Sequence, residues 1–335
     1  MARSSIWPKG WQLRAGHLAA GLCILALAWA AAWGWGAHNR TQAQTRFDEL
    51  AQHSTRLLIH QIEGYEKAVR SARGVVSAAG EHGIARSTFR RYQESRDMER
   101  EFPGARGFGF IRRVPALAES AFVRAARADG WPEFAVRQLT AHDGERYVIQ
   151  YIEPVQPSRQ AVGLDIASEA DRKEAAERAM RTGEATLTAP ITLVEESGKT
   201  EHAFLLLLPV YRPVGAPRTA AERMEATFGW TYMPLVIDEV IARANVREDL
   251  IELSLGDIGA TGESREFYAS PGAAHGEGVA PRPMTRSVAP VFGRQWEIRA
   301  RARPAFVAQL DQVQPHTVFT QVVAMGVLAA CSAGR

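Results

Sequence analysis

Uncharged positions are concentrated at the two ends of this chain. From Leu18 to Ala37, twenty residues carry no charge, bounded by His17 and His38. At about 1.5 Å per residue, such a helix crosses the roughly 30 Å hydrocarbon core of a bilayer. Trp7, Trp11, Trp33 and Trp35 flank the run, and Arg3, Lys9 and Arg14 precede it. The basic flank predicts a cytoplasmic segment at 1–17, a transmembrane helix at 18–37, and export of the chain beyond that helix. A cleaved signal peptide, with the A-x-A site Ala28–Ala30, is the alternative. Between His316 and Arg335 lie eighteen uncharged residues, "TVFTQVVAMGVLAACSAG". They predict a second transmembrane helix over 316–335, complete only barely or cut short, with a buried or amphipathic terminal helix as its alternative. The expected location is an inner or plasma membrane, with 38–315 periplasmic or extracellular.

Residues 38–80 read as a long polar helix, a stalk. Leu50, Leu57, Leu58, Ile62, Tyr65, Val69 and Val76 recur along it at helical spacing. The stripe suits a parallel homodimer seam, and it suits packing against the chain's own domain equally well.

Beyond the stalk, the period shortens to that of strands. At "EFPGARGFGFIRRVP", 101–115, Pro103 and the glycines make a turn that feeds an aromatic strand. The spacing G-x-x-G-x-G is not a dinucleotide fingerprint. "SAFVRAARADG" predicts a short helix stopped at Gly130. "FAVRQL" and "RYVIQYIEPV" predict strands, the latter with Tyr147, Ile149 and Tyr151 on one face. After Val162–Ile166, a helix starts at Ser168, with Asp171 completing a near capping box and Gly183 ending it. Arg172, Ala175, Ala176, Ala179 and Met180 share one helix face, and Glu174–Arg178 and Glu177–Arg181 form i,i+4 pairs on another. "ATLTAPITL" and "AFLLLLPVY" are strands around the polar turn at Glu195–Glu196.

After the proline-rich "RPVGAPRTAAER", a second β–α–β–β unit is expected from "ATFGWTYMP", "LVIDEVIARA", "LIELSLGD", "REFYAS" and "RQWEIRARA". The fold class is therefore α+β. A transmembrane helix and a stalk helix lead into two sheet lobes, about 84–211 and 220–303, and a second transmembrane helix closes the arrangement.

Composition narrows the chemistry. The 335 residues carry a net charge of +3, and the only lysines are Lys9, Lys67, Lys173 and Lys199. The basic residues are interleaved with acids rather than gathered in a stripe, which argues against nucleic acid. Cys23 and Cys331 both lie in the end segments. Histidines are spread singly, and no nucleophile elbow, phosphate loop or metal-ligand motif occurs, so no catalytic residue, metal or cofactor is expected. Asp165 stands out, because its neighbours Leu164 and Ile166 suggest burial, and a buried carboxylate needs a partner. Two roles stay open for it: contact with a small-molecule ligand, or a structural ion pair with Arg172.

The blocks "FPGARGFGFIRRVP", "YIEP", "VGLDIASEADRKEAAERAMRTGEATLTAPITL" and "LLLLPVYRP" resemble, in order, the CHASE domain. That is the extracellular sensory module of histidine kinases and nucleotide cyclases. The resemblance covers 81–303 and implies two PAS-like lobes between two membrane passes. In the plant cytokinin receptors of the family, an aspartate and a backbone peptide of the "LTAP" strand contact the ligand. The matching positions are Asp165 and Leu187, with Thr188 beside it. The resemblance implies a membrane sensor that binds a small molecule and signals to a kinase or cyclase on the cytoplasmic side. A tethered or secreted binding protein without transmembrane signalling is the alternative.

Overall fold

The structure is a computed structural model that describes residues 9–80, 83–156, 158–194, 200–212, 217–259, 261–272, 282–310 and 312–333. Glu195–Glu196 lies outside the described residues. Helix α1, Lys9–Ala79, joins the expected membrane span and stalk without a break. Nothing between them ends a helix, since residues 9–79 contain no proline.

Short helices α2 (Arg86–Glu94) and α3 (Met98–Glu101) precede strand β1, Phe108–Val114. Then come α4 (Glu119–Ala128), β2 (Arg137–Gln138), β3 (Arg146–Glu153) and β4 (Leu164–Asp165). Helix α5 spans Ala170–Thr182 and ends on Gly183, whose φ of 81° makes the left-handed cap. Strands β5 (Thr186–Leu187), β6 (Ile191–Val194) and β7 (Thr200–Tyr211) come next, then α6 (Ala220–Ala226) and β8, Thr227–Val236. The remaining elements are α7 (Ile237–Arg243), β9 (Ile251–Ile258), β10 (Ser264–Ala269), β11 (Met284–Val291), β12 (Arg294–Ala302), α8 (Pro304–Gln309) and α9 (Pro315–Ala333).

Two open sheets result. The larger runs β2-β4-β3-β1-β8-β7-β5, with β6 also paired to β7; the smaller runs β10-β9-β12-β11. The strand "ATFGWTYMP", expected to open the second lobe, instead lies inside the first sheet, paired antiparallel to both β1 and β7. Every residue of β8 is buried, as a strand with neighbours on both edges and packing on both faces requires. The long connection after β7 is thus a return within the first lobe, and α6 forms inside it.

The two faces of the large sheet carry different cores. On one, Phe108, Phe110, Phe204, Leu206 and Leu208 pack with Leu58, Ile62, Tyr65, Val69 and Val76 of α1 and with Trp296 and Ile298 of β12. The stalk stripe is therefore taken up largely within its own domain. On the other face, Ile111, Ile149, Leu205, Leu207, Trp230 and Tyr232 pack against Ala175, Ala176, Ala179 and Met180 of α5. Tyr151 departs from the expected shared face. The β1–β3 register slips between Phe110 and Ile111, which pair with Tyr151 and Ile149, so Gln150 is a bulge residue. The extra residue reverses the alternation and turns Tyr151 to the stalk side, away from Tyr147 and Ile149.

Among the described residues, 9–50, 282–284, 301–310 and 312–333 form a separate compact unit. Its two apolar helical stretches contain windows of mean hydropathy 1.7 (within Leu18–Ala79) and 1.2 (Pro315–Ser332), almost wholly unburied by protein. They meet where a Cβ on Gly326 would stand 2.6 Å from Ile24 Cγ2, a small residue permitting close helix approach. Asn39 Nδ2 donates to the Val313 carbonyl at 2.8 Å, and Gln312 Nε2 donates to the Asn39 carbonyl at 2.9 Å.

Candidate functional site

Asp165 ends β4 and is fully buried. Its Oδ1 accepts from the backbone N–H of Tyr147 at 2.8 Å and of Ala167 at 3.0 Å. Its Oδ2 lies 2.8 Å from His142 Nε2 and accepts from Gln138 Nε2 at 3.4 Å. The carboxylate therefore closes the turn after β4 and holds both ends of the 138–147 loop that joins β2 to β3. Ser168 does not begin α5. Its hydroxyl donates to the Asp165 carbonyl and accepts from Leu139 N–H, while Glu169 caps α5 through the N–H groups of Asp171 and Arg172.

The alternative pairing of Asp165 with Arg172 is not the one formed. The ionic neighbour of Arg172 is Glu169, 3.7 Å from its Nε, because the cap at Glu169 sits one helical turn from Arg172. Arg172 Nε has no hydrogen-bond partner, and burial lowers its affinity for its proton, opposed by Glu169 and Tyr232. Tyr232 is wholly buried and its hydroxyl also has no partner. Burial pushes its phenol far above the usual range, with Arg172 pulling the other way. The rings of Trp230 and Tyr147 sit 4.6 Å apart, and Trp230 Nε1 donates to the Ala176 carbonyl at 3.0 Å. Burial pushes the Tyr147 phenol up to about 12.

Leu187 and Thr188 stand elsewhere. Strand order places β3, β1, β8 and β7 between β4 and β5, so Asp165 and Leu187 belong to opposite parts of the sheet. Leu187 N–H donates to the Phe292 carbonyl at 2.9 Å. Thr188 N–H donates to the Leu205 carbonyl at 3.1 Å, and its hydroxyl accepts from Leu205 N–H at 3.0 Å. Phe292 and Gly293 are the two-residue turn between β11 and β12, with φ of 44° and 80°. Positive φ at both positions is what a tight hairpin of this kind requires. The Gly293 carbonyl accepts from Arg178 of α5, and Arg294 bonds Asp257 at 2.9 Å. The tip of the smaller sheet thus rests on both β5 and α5. His142, Gln138, Tyr232 and Phe292 carry no mark in the sequence; a lone histidine and glutamine at a polar loop give no signal of the acid they meet.

Among the described residues, no group of three or more His, Cys, Asp or Glu side chains is placed to hold a metal. Two open PAS-like sheets bracketed by membrane-length apolar helices are the arrangement of an extracytoplasmic sensory module in a membrane. A family model described as the CHASE domain matches residues 82–268, more than half of the chain, and the chain belongs to that family. CHASE is a sensory domain without catalysis, and the protein accordingly sits in the inner membrane with this region on the extracytoplasmic side. Among curated proteins, none matches the chain.

Proposed function

We propose that this protein is the input half of a receptor. A small molecule binds the larger-sheet lobe between α5 and the sheet, and the signal passes through the membrane helices to a kinase or nucleotide cyclase, as in two-component signalling. The observation that carries this reading is the Phe292–Gly293 turn. It is bonded to Leu187 of β5 and to Arg178 of α5, and β12 continues from it in sequence through α8 into α9. Anything that shifts α5 or β5 is felt by the strand that leads to the second membrane helix. Asp165, Leu187 and Thr188 enter as positioning residues, or as contacts once the ligand displaces their internal bonds. A parallel homodimer of receptors would align two pairs of membrane helices.

The test is a thermal-shift screen of the full chain in detergent against a metabolite library, repeated on Arg178→Ala. A ligand should raise Tm in both proteins. In cells with a fused output reporter, it should switch only the chain with an intact turn contact. A protein released from membranes after cleavage near Ala30 would instead favour a free solute-binding protein.

A further inference from the structure

The end of the first membrane span and the start of the second converge on one point. A Cβ built on Gly36 would lie 3.3 Å from Pro315 Cγ and 3.8 Å from Arg40 Nη1. Gly36 stands at the end of the uncharged run in α1, and Pro315 is the first residue of α9. A glycine here lets the second segment come close. Arg40 is the first arginine or lysine after the run, and its guanidinium reaches back over the last apolar turn. Trp35 Nε1 donates to the Val313 carbonyl at 3.1 Å, so an interfacial ring ties the same junction.

A cavity of about 740 Å³ lies at this junction, within the range of small-molecule sites, about 300–1,000 Å³. One wall is α1 from Gly36 to Gln44. The other comes from Pro304, Val307, Ala308 and Leu310, in and around α8, with Arg282 and Pro283 beside them. All of these residues belong to the unit that carries the membrane helices. The walls are largely apolar, and the charged residues lining them are Arg40 and Arg282, with no carboxylate. Arg282 Nη1 donates to the Ala302 carbonyl at 3.0 Å, which holds that side chain where β12 passes into α8. No acid stands within four residues of Arg40 on its helix. The next acid along α1, Asp48, accepts from Gln44 Nε2 at 2.8 Å and does not line the cavity. Two like charges around one hollow leave a positive field there, and that field favours an anion.

We propose that this cavity holds the headgroup of an anionic phospholipid from the extracytoplasmic leaflet. The phosphate oxygens accept from Arg40 and Arg282, since a guanidinium fork matches phosphate geometry. The glycerol backbone and first methylenes rest against Val307, Leu310 and Pro315. An ammonium-bearing headgroup would bring a third cation to a site with no carboxylate to receive it, so a lipid of net negative charge is selected. A soluble phosphate would satisfy the arginines but leave the apolar wall facing water. Gly36 and Pro315 both line the cavity, so it begins where the two spans leave the hydrocarbon. A lipid therefore reaches it by lateral diffusion. Once bound, the headgroup touches α1 and the α8–α9 connection together and bridges the two membrane helices.

The experiment uses the full chain in detergent micelles with equal parts of phosphatidylglycerol and phosphatidylcholine, and native mass spectrometry reads the lipid retained. The chain should keep phosphatidylglycerol and release phosphatidylcholine. Arg40→Gln should weaken retention about tenfold, the effect of one charge-assisted hydrogen bond. Adding Arg282→Gln should abolish it. Arg46→Gln, which removes an exposed arginine of the same helix outside the cavity, should change nothing. Circular dichroism and Tm report that each variant is folded; if the double variant is not, Arg40→Gln alone decides. Equal retention of the two lipids, equal weakening by Arg46→Gln, or retention unchanged in Arg40→Gln overturns the inference. Displacement of the lipid by millimolar inorganic phosphate would make the site one for a free anion and overturn it as well. None of these outcomes depends on whether the larger-sheet lobe binds a small molecule.

Discussion

Asp165 uses both carboxylate oxygens inside the protein, which makes it a structural acceptor. Asp165→Asn keeps the shape but turns an NH2 group toward donors. It should lower stability by about 2–3 kcal/mol, measured by chemical denaturation. Glu153 gives a second case. Its buried carboxylate lies 3.3 Å from Arg86 Nη1 and 3.8 Å from Arg90 Nε, and Arg86 also stacks 4.5 Å over Trp131. Burial holds the Glu153 carboxyl above its usual range, against the pull of both arginines. Arg86→Met should therefore cost about 3–5 kcal/mol, because the carboxylate loses its closest counter-charge. A carboxyl whose folded pKa exceeds the unfolded one binds protons preferentially when folded, so acid favours the fold. The Tm deficit of Arg86→Met should narrow from about pH 7 to about pH 5, and Glu153→Gln in the same chain should restore much of it. The burial of Asp165 was legible from Leu164 and Ile166. Its partners were not, since His142 and Gln138 reach it from a β2–β3 connection whose sequence is ordinary polar loop.

At the level of elements, periodicity predicts α5 with its inner face and both charge pairs, and β7, β9, β10 and β12 nearly as found. It fails where strand partners decide. Nothing in "ATFGWTYMP" says that its neighbours are β1 and β7 rather than β9, because pairing is a long-range property. Strand β11 gives no signal because it is mostly exposed and shows no alternation. Tyr151 faces the opposite way from its place in the alternation, because a bulge leaves no mark in the hydrophobic pattern. Gly109 is legible as a break but not as the seat of the Tyr232 ring. Gly109→Ala should destabilise the chain by about 1–3 kcal/mol through overpacking, read from the denaturant midpoint. The stalk offers a sharper test. Leu58, Ile62 and Tyr65 are buried, whereas His53, Arg56, His60, Glu63 and Lys67 form a more open face. If the protein dimerises along α1, single cysteines should cross-link at these five positions and not at the three buried ones. An even pattern would place any dimer contact elsewhere.

For the whole molecule, the order of membrane helix, sensory domain and membrane helix fixes a topology. Alkaline phosphatase fused after residue 200 should be active and after residue 14 inactive, which colony assays can read. The position of β8 has a further consequence for how the gene can be divided. A boundary drawn in the linker near 212–219 looks natural, yet the piece ending there lacks the strand that joins β1 to β7. That piece would carry two half-sheets with open edges, and expressed alone it should aggregate. Co-expressed with the remainder, it should recover solubility, since β8 arrives from the second fragment with both its edges complementary. The usable seam therefore lies later than the composition of the chain suggests: swaps between related chains should succeed only at junctions beyond Val236, which leave β8 with β1 and β7.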